Sequence, residues 1–243
     1  MSWKIVIKNF LNSFGYDLHK VASGGIYTPC YPYNYSTYSP WFEKTFQKIY
    51  GEVSKHTVVT EDRCYLIYKF VKHCLHLPGD LAECGVYLGG TAYLIANTLE
   101  RSTIRNKAVH LFDTFSGMPS SARKKRDGHR QGDFGQVNLT EVKKYLSKYR
   151  FLKYHKGLIP LTFNEVVDKI FCFVHIDVDI YPTTKDCCNF FYKRMVSGGI
   201  MLFDDYGFPN YINSEKKAVD DFFRNKTEVI IPLRSGQCLV IKQ

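Results

Sequence analysis

From about residue 60 onward, short apolar runs alternate with segments whose apolar residues recur at helical spacing. Runs such as 170–174 and 199–203 contain no charged residue, which is typical of strands buried on both faces of a parallel sheet. Segments such as 63–75 and 183–195 have instead the periodicity of amphipathic helices. Because strands and helices alternate, the pattern predicts an α/β domain with a mostly parallel sheet. The predicted strands are 81–84, 108–112, 151–155, 171–176 and 199–203, followed by a hairpin of 228–231 and 237–241, and the other predicted helices are 91–99, 139–149, 216–224 and one after Pro160.

The first 59 residues differ from the rest of the chain. Tyrosines, prolines and Trp41 crowd the segment 27–41, and this composition predicts irregular structure. Aromatic side chains on such a loop form either a lid that stacks on a sugar ring or anchors to the protein's own core or to a second subunit. We therefore expect residues 1–59 to be an N-terminal extension or lid and residues 60–243 to be a separate α/β domain. The sequence does not determine whether the chain forms a homo-oligomer.

Composition and cysteine usage narrow the class of protein. The chain has 243 residues, of which 45% are hydrophobic, and this is ample for a core. It has no apolar stretch long enough to span a membrane, and its N-terminus lacks the apolar core of a signal peptide. None of its eight cysteines form a CxxC pair, so we expect reduced thiols in a cytoplasmic protein.

The formal net charge of +10 is distributed unevenly. Many of the basic residues fall in the polar stretch 116–136, which is predicted to be a long functional or disordered loop, and in the segment 143–156. A basic rim around an acidic centre favours an anionic substrate, although a solvated helix face beside a mobile loop explains the same pattern. No nucleic-acid-binding motif accompanies the charge, so a nucleic-acid partner is not expected.

Two pairs of aspartates follow two of the predicted strands. Asp177 and Asp179 come after strand 171–176, and Asp204 and Asp205 come directly after strand 199–203. The carboxyl ends of parallel strands meet at one edge of a sheet, where packed carboxylates repel one another unless a cation or a shared proton compensates them. A hard divalent metal is the simplest interpretation. The alternative is that some of these aspartates, above all Asp205, cap the helices that follow.

The spacing within each pair carries a further expectation. In an extended stretch, Asp177 and Asp179 would project to the same side, about 6.6 Å apart. Asp204 and Asp205 are adjacent and cannot both point inward from a regular strand, so the strand must end there, which Gly207 and Pro209 allow.

A glycine-rich turn lies between the first predicted strand and its helix. It contains Glu83, Gly85, Gly89 and Gly90, and Asp113 ends the next strand. Glycines let the backbone approach a ligand closely, the helix N-terminus offers free N–H groups, and a carboxylate at the position of Asp113 can accept both hydroxyls of a ribose. Each signal is weak alone, but together they favour a nucleoside cofactor, either NAD or S-adenosylmethionine.

The downstream carboxylates favour methyl transfer to an alcohol over hydride transfer, which needs no acidic centre. The pKa of an alcohol is near that of water, ~15.7, against ~3.9 for an aspartic acid, and the gap corresponds to ~16 kcal/mol. An aspartate alone therefore cannot remove the proton in advance. A bound Mg²⁺ would stabilise the alkoxide as it forms while a neighbouring carboxylate takes the proton.

Five motifs occur in this part of the chain: AECGVYLGGT at 82–91, LFDTFSGMP at 111–119, GDF at 132–134, HIDVDIY at 175–181 and FDDYG at 203–207. In order and content they resemble the macrocin O-methyltransferase family, whose members methylate sugar hydroxyls in antibiotics and glycans. The resemblance covers about residues 60–243 and implies a Rossmann-like class I methyltransferase fold, with a mostly parallel seven-stranded sheet and helices on both faces.

The same resemblance implies S-adenosylmethionine as cofactor, Mg²⁺ or Mn²⁺ as metal, and a sugar-containing small molecule or glycan as acceptor. It assigns Asp177, Asp204 and Asp205 to the metal and Asp179 to the catalytic base. His175 is expected to be a packed, hydrogen-bonded residue rather than a catalytic one. The residues expected to bind the cofactor are Glu83, Gly85, Tyr87, Gly89, Asp113, Thr114, Asp133, Phe134 and Asp177.

Two other enzyme classes remain as alternatives. Asp177-Val-Asp179 also resembles the DxD motif with which many glycosyltransferases bind a metal and a nucleotide sugar, but that reading leaves the glycine turn and Asp113 unexplained. A small-phenol O-methyltransferase would use the same metal chemistry on a flat aromatic acceptor. The residues do not identify the acceptor or the hydroxyl that is methylated.

Overall fold

The computed structural model describes residues 3–14, 41 and 43–243. The chain divides into two compact units, Met1–Tyr38 and Ser39–Gln243. The first unit contains helix α1 (Trp3–Asn12). Apart from Trp41, the aromatic and proline-rich segment 27–41 lies outside the described residues, so its predicted irregular structure stays a prediction.

The larger unit alternates strands and helices as the apolar pattern predicts. Its strands are β1 (Asp80–Cys84), β2 (Val109–Asp113), β3 (Leu152–Lys156), β4 (Phe171–Ile176), β5 (Met195–Phe203), β6 (Ile231–Pro232) and β7 (Cys238–Ile241). Its α-helices are α2 (Lys44–Val53), α3 (Glu61–Cys74), α4 (Gly90–Glu100), α5 (Lys124–Asp127), α6 (Leu139–Tyr145), α7 (Tyr181–Phe191) and α8 (Glu215–Phe223), and two 3₁₀ helices cover Leu161–Val166 and Pro209–Tyr211.

The described residues form one seven-stranded sheet in the order β3-β2-β1-β4-β5-β7-β6. Strands β1 to β5 pair in parallel, whereas β7 runs antiparallel to both β5 and β6. Successive strand residues enter different cores: Leu81 and Phe173 pack with α2, α3 and α4, and their neighbours Ala82 and Val174 pack with α7 and α8. Helices therefore cover both faces, and the predicted fold class is confirmed.

Helix α2 belongs to the core of the larger unit. Phe46, Ile49 and Val53 recur on one helical face and are buried with residues of α3 and α4. The last part of the extension assigned to residues 1–59 thus shares a hydrophobic core with the domain assigned to residues 60–243.

The boundary between α7 and β5 differs from the prediction. The helix expected over 183–195 ends at Phe191, and the strand expected over 199–203 begins already at Met195. The reason is the neighbouring strand, because the N–H of Phe171 donates to the carbonyl of Arg194 at 2.8 Å and draws this segment into the sheet. Sheet pairing here outweighs the helical periodicity of the sequence.

The polar stretch 116–136 is anchored to the domain by one buried carboxylate. Asp127 is completely buried at the end of the short helix α5. It accepts the backbone N–H of Tyr181 at 3.1 Å and that of Arg123 at 2.7 Å, and it forms an ion pair with Arg126 at 2.8 Å. The stretch is therefore attached to the start of α7, close to the carboxyl end of β4.

Within the described part of the chain, no helix is long and apolar enough to cross a membrane. The seven cysteines in that part are all free and buried.

The approach of the turn after β1 to the turn after β4 gives a test of the fold. Gly85 has φ +86°, and a Cβ there would lie 1.8 Å from the carbonyl oxygen of Asp177. We expect Gly85→Ala to lower the free energy of unfolding by more than ~2 kcal/mol, measured by denaturant titration. Gly51→Ala in α2 is the matched control: it meets nothing within 4 Å and should stabilise by roughly 0.5–1 kcal/mol. Equal effects of the two substitutions would contradict this packing.

Candidate functional site

A cavity of about 380 Å³ lies at the carboxyl edge of the sheet. Its walls come from the turns after β1, β2 and β4 and from both ends of the stretch 116–136. This is the edge at which open α/β sheets bind ligands. Seven of the predicted site residues line the cavity: Gly85, Tyr87, Asp113, Thr114, Phe134, Asp177 and Asp179.

Asp113 fixes the two turns nearest to it. Its Oδ2 accepts the N–H groups of Val86 at 2.7 Å and Tyr87 at 3.0 Å, and its Oδ1 accepts the N–H of Phe115 at 2.6 Å. A carboxylate has about four lone-pair sites, so Asp113 keeps the capacity to accept a further hydroxyl from the cavity.

Backbone strain concentrates around the cavity. Among the described residues, the non-glycine residues with positive φ are Tyr87 (51°), Phe115 (49°), Phe134 (62°) and Asp179 (60°). Three of them line the cavity, and Phe115 directly follows the lining residue Thr114. Such conformations cost ~1–3 kcal/mol each and persist only where the surrounding contacts impose them.

Five predicted site residues lie outside the cavity wall. Gly89 is the left-handed N-cap of α4, and Asp133 is a partly exposed loop residue that accepts the N–H of Arg130 at 2.9 Å. Asp204 and Asp205 are buried behind the wall, and so is Glu83, whose side chain is completely inaccessible. Asp204 and Asp205 therefore lie in the interior of the domain next to the site, and the side chain of Glu83 does not line the cavity.

Glu83 instead belongs to a buried chain of polar groups. Its Oε1 lies 2.9 Å from His175 Nδ1, and His175 Nε2 lies 3.3 Å from Asp204 Oδ1. Gln237 Nε2 donates to the same Asp204 oxygen at 2.7 Å. Burial by itself would lower the pKa of His175, but the hydrogen bonds and charges of Asp204 and Glu83 outweigh burial and raise the pKa to about 10. His175 is packed and hydrogen-bonded, as expected from the sequence.

A buried arginine, which the sequence analysis did not identify, compensates the second aspartate pair. Arg63 donates to Asp204 Oδ2 and lies 3.4 Å from Asp205 Oδ1. Burial opposes ionisation of Asp204, but His175 and Arg63 hold its pKa below the usual range. The available signal was the helical register, because Arg63 shares the apolar face of α3 with Ile67 and Val71.

Asp177, Asp179 and Asp205 form a compact cluster of carboxylates that Arg63 compensates only in part, through its contact with Asp205. Asp177, Asp179 and Asp205 each offer one oxygen, and these oxygens lie within 4.8 Å of one another. Burial raises the pKa of Asp177 well above its usual range, and the charges of Asp204 and Asp179 raise it further. Burial followed by the charges of Asp177 and Asp179 does the same to the pKa of Asp205. An all-oxygen donor set with unbalanced negative charge fits a hard divalent cation.

Glu215 adds a further buried carboxylate behind this cluster. Its Oε1 accepts the N–H of Asp205 at 2.7 Å, while its Oε2 is buried without a hydrogen-bond partner. Burial raises the pKa of Glu215 well above its usual range, although the N–H of Asp205 lowers it. Glu215 therefore orients the backbone of Asp205 at the position where β5 has ended.

The predicted geometry of the first aspartate pair was wrong. β4 ends at Ile176, and the N–H of Ile180 donates to the carbonyl of Val178 at 2.6 Å across a tight turn. Asp177 and Asp179 therefore do not project from an extended stretch, and it is the turn that brings their carboxylates together. The expectation for the second pair is confirmed, because β5 ends at Phe203 immediately before Asp204.

Two further residues that the sequence analysis missed face the first pair. His129 Nε2 lies 2.9 Å from the hydroxyl of Tyr211 and 3.8 Å from Asp179 Oδ1, and His129 Nδ1 lies 3.4 Å from Asp133 Oδ2. Burial raises the pKa of Tyr211, and the charges of Asp179 and Asp205 raise it further. The only local signal was a histidine just before the Gly132-Asp-Phe134 motif, whereas Tyr211 comes from a distant 3₁₀ helix.

Comparison with known proteins gives related O-methyltransferases. The demethyldecarbamoylnovobiocin O-methyltransferase of Streptomyces niveus is 27% identical over 164 residues, 62% of this chain and 62% of that protein. The 8-demethyl-8-(2,3-dimethoxy-alpha-L-rhamnosyl)-tetracenomycin-C 4'-O-methyltransferase of Streptomyces olivaceus is 25% identical over 156 residues, 60% of this chain and 58% of that protein. The chain thus spans less than two thirds of the length of either relative.

The fold and the family agree with these relatives. The solved structure of the O-methyltransferase NovP superposes with a TM-score of 0.67 at 23% identity, covering 77% of this chain and 82% of that one. The family described as macrocin-O-methyltransferase (TylF) matches residues 53–237, most of the chain. The resemblance of the five motifs is therefore confirmed, and the chain belongs to the macrocin O-methyltransferase family.

Proposed function

We propose that this protein transfers a methyl group from S-adenosylmethionine to a sugar hydroxyl, with a divalent cation at the carboxylate cluster. The observation that carries the proposal is the juxtaposition of a ligand-sized cavity, closed on one side by Asp113, with the only partly compensated carboxylates of Asp177, Asp179 and Asp205. Family membership supports the reaction class. The free, buried cysteines of the described part are in keeping with a reducing, cytoplasmic setting.

The turns after β1 and β2 provide the residues that bind the cofactor. Gly85 lets the backbone approach the ligand, Asp113 accepts a ribose hydroxyl, and Tyr87, Thr114 and Phe134 complete the wall. When bound, S-adenosylmethionine supplies an activated methyl group on a sulfonium. The strained turns at Tyr87 and Phe134 preset these side chains before the ligand arrives.

Asp177 and Asp205 are the metal ligands in this proposal, with Asp204 as the third predicted ligand. The first two carry charge that no described side chain balances fully, whereas Asp204 is held by His175 and Gln237 at one oxygen and by Arg63 at the other. Mg²⁺ or Mn²⁺ at this position would act as a Lewis acid and stabilise the alkoxide that develops on the acceptor.

Asp179 is the base that removes the proton of the acceptor hydroxyl in this proposal. The acceptor hydroxyl would take the methyl group that the sulfonium of S-adenosylmethionine supplies, and the Asp179 carboxylate would accept the hydroxyl proton. Asp179 lines the cavity with a positive φ, and its Oδ1 lies 3.8 Å from Nε2 of His129, which in turn contacts the hydroxyl of Tyr211. These contacts limit the orientations that the carboxylate can adopt.

The acceptor is proposed to be a sugar of a glycan, glycoconjugate or nucleotide sugar that carries negative charge. One relative supports the sugar, because its name describes transfer to the 4' oxygen of a rhamnosyl group. Charge at the rim supports the anion: Ser120 and Ser121 line the cavity, and exposed Arg123, Lys124 and Lys125 follow them. A screen of nucleotide sugars, free glycans and phenols with labelled S-adenosylmethionine separates this acceptor class from a small phenol.

The cofactor assignment predicts a thermal shift. S-adenosylmethionine at a hundredfold excess over Kd should stabilise the protein by ~2.7 kcal/mol, seen as a rise in melting temperature. Asp113→Ala should remove most of this ligand-induced rise, whereas Asp168→Ala, at a surface aspartate that is 68% exposed, should keep it. A wild-type melting curve that does not respond to the cofactor would rule out the assignment.

The metal assignment predicts a loss of Mn²⁺ binding. Asp177→Asn and Asp205→Asn should each weaken Mn²⁺ by more than ~10-fold in calorimetric titration, while the thermal response to S-adenosylmethionine remains. Asp168→Asn serves as the control. Because burial and like charges raise the pKa of both ligands, protons compete with the cation, and Mn²⁺ affinity should fall as the pH is lowered. Full turnover after exhaustive chelation would show that the carboxylates serve another purpose.

The base assignment predicts a selective loss of turnover. Asp179→Asn is nearly isosteric but cannot take the proton, so kcat should drop by ~10²–10⁴-fold while cofactor and Mn²⁺ binding persist. If Mn²⁺ binding is lost instead, Asp179 is a metal ligand and the base lies elsewhere. Near-normal rates would show that the metal alone activates the hydroxyl.

A further inference from the structure

Helix α1 presents an apolar stripe to solvent. Trp3, Val6, Ile7, Phe10 and Phe14 recur at helical spacing and share one face. Val6 is 54% exposed, Ile7 42%, Phe10 63% and Phe14 65%. The rings of Phe10 and Phe14 contact each other edge to face at 5.1 Å between centroids. A contiguous apolar face of this kind marks an interaction surface rather than a solvated one.

Apart from Ile5 and Leu11, the other residues in the sequence of the helix are polar, and Lys4 and Lys8 are its only charged residues. The sequence has no acidic residue before Asp17. A short helix that combines an exposed apolar stripe containing tryptophan and phenylalanine with lysines as its only charges is typical of helices that lie in the interface of an anionic bilayer.

We propose that α1 is an interfacial anchor that binds this protein to a membrane surface rich in anionic lipid. At 10 residues the helix spans only ~15 Å, half of a bilayer core, so it lies in the plane of the interface and does not cross it. The lysines select the occupant, because lipid phosphates complement them. This inference is independent of the methyl-transfer chemistry.

The test is cosedimentation of the full chain with vesicles of phosphatidylcholine and phosphatidylserine, against vesicles of phosphatidylcholine alone. Phe10→Asp and Asn9→Asp add the same charge at neighbouring positions, but only the first interrupts the apolar face. Phe10→Asp should weaken binding to the anionic vesicles by more than ~10-fold, since it forfeits burial of an aromatic side chain as well. Asn9→Asp and Lys8→Gln should each weaken it by only about fivefold, the factor that corresponds to ~1 kcal/mol per charge.

A spectroscopic readout locates the contact. The chain has two tryptophans, so Trp41→Phe leaves Trp3 as the single reporter in α1. Its emission should shift to shorter wavelength on addition of the anionic vesicles and stay unchanged with phosphatidylcholine alone.

Three outcomes would overturn the proposal. The first is no cosedimentation of the wild-type chain with the anionic vesicles. The second is an equal loss in Phe10→Asp and Asn9→Asp, which would assign binding to the overall positive charge. The third is a wild-type dimer that Phe10→Asp dissociates while vesicle binding is absent, which would assign the apolar face to a second copy of the chain.

Discussion

The arrangement of this site depends on the repulsion among carboxylates that the sheet brings to one place. β4 and β5 are neighbours, and two aspartates follow the end of each strand, so four acidic side chains meet at a buried edge of the sheet. Each buried charge needs a partner, because leaving it uncompensated costs several kcal/mol. The surrounding elements supply more hydrogen-bond and ion-pair partners to Asp204 than to Asp177, and this difference in compensation defines the site.

One side of the cluster is neutralised by protein groups. Arg63 from α3, His175 from β4 and Gln237 before β7 converge on Asp204, and Glu83 supports His175 from the far side. On the other side, Asp177, Asp179 and Asp205 have fewer partners among the described residues: Arg63 lies 3.4 Å from Asp205, and His129 lies 3.8 Å from Asp179. The difference in pKa directions follows from this: the pKa of Asp204 is held below its usual range, whereas burial and like charges raise the pKa values of Asp177 and Asp205 well above theirs.

The glycine-rich turn after β1 is in direct contact with the carboxylate cluster. Gly85 after β1 touches the backbone of Asp177 after β4, and those strands pair in the middle of the sheet. Asp113 holds the turn after β1 from the opposite side through the N–H groups of Val86 and Tyr87. The methyl-donor site that we propose on this turn would therefore lie beside the cluster, at the short distance that group transfer needs.

The sequence by itself determined the parallel α/β architecture, the family and the position of the four aspartates. Apolar runs that lack charged residues specify buried strands, and a residue that directly follows such a run must lie at the carboxyl edge. Only the tertiary structure decided what those aspartates face. Arg63 and Asp204 are 141 residues apart, and no local pattern links them. The tight turn at Val178–Ile180, the inward burial of Glu83 and the approach of His129 and Tyr211 to Asp179 likewise depend on how separate elements pack. Residue type and periodicity fix where a side chain starts along the chain, but its direction and its partners are set by the elements that pack against it.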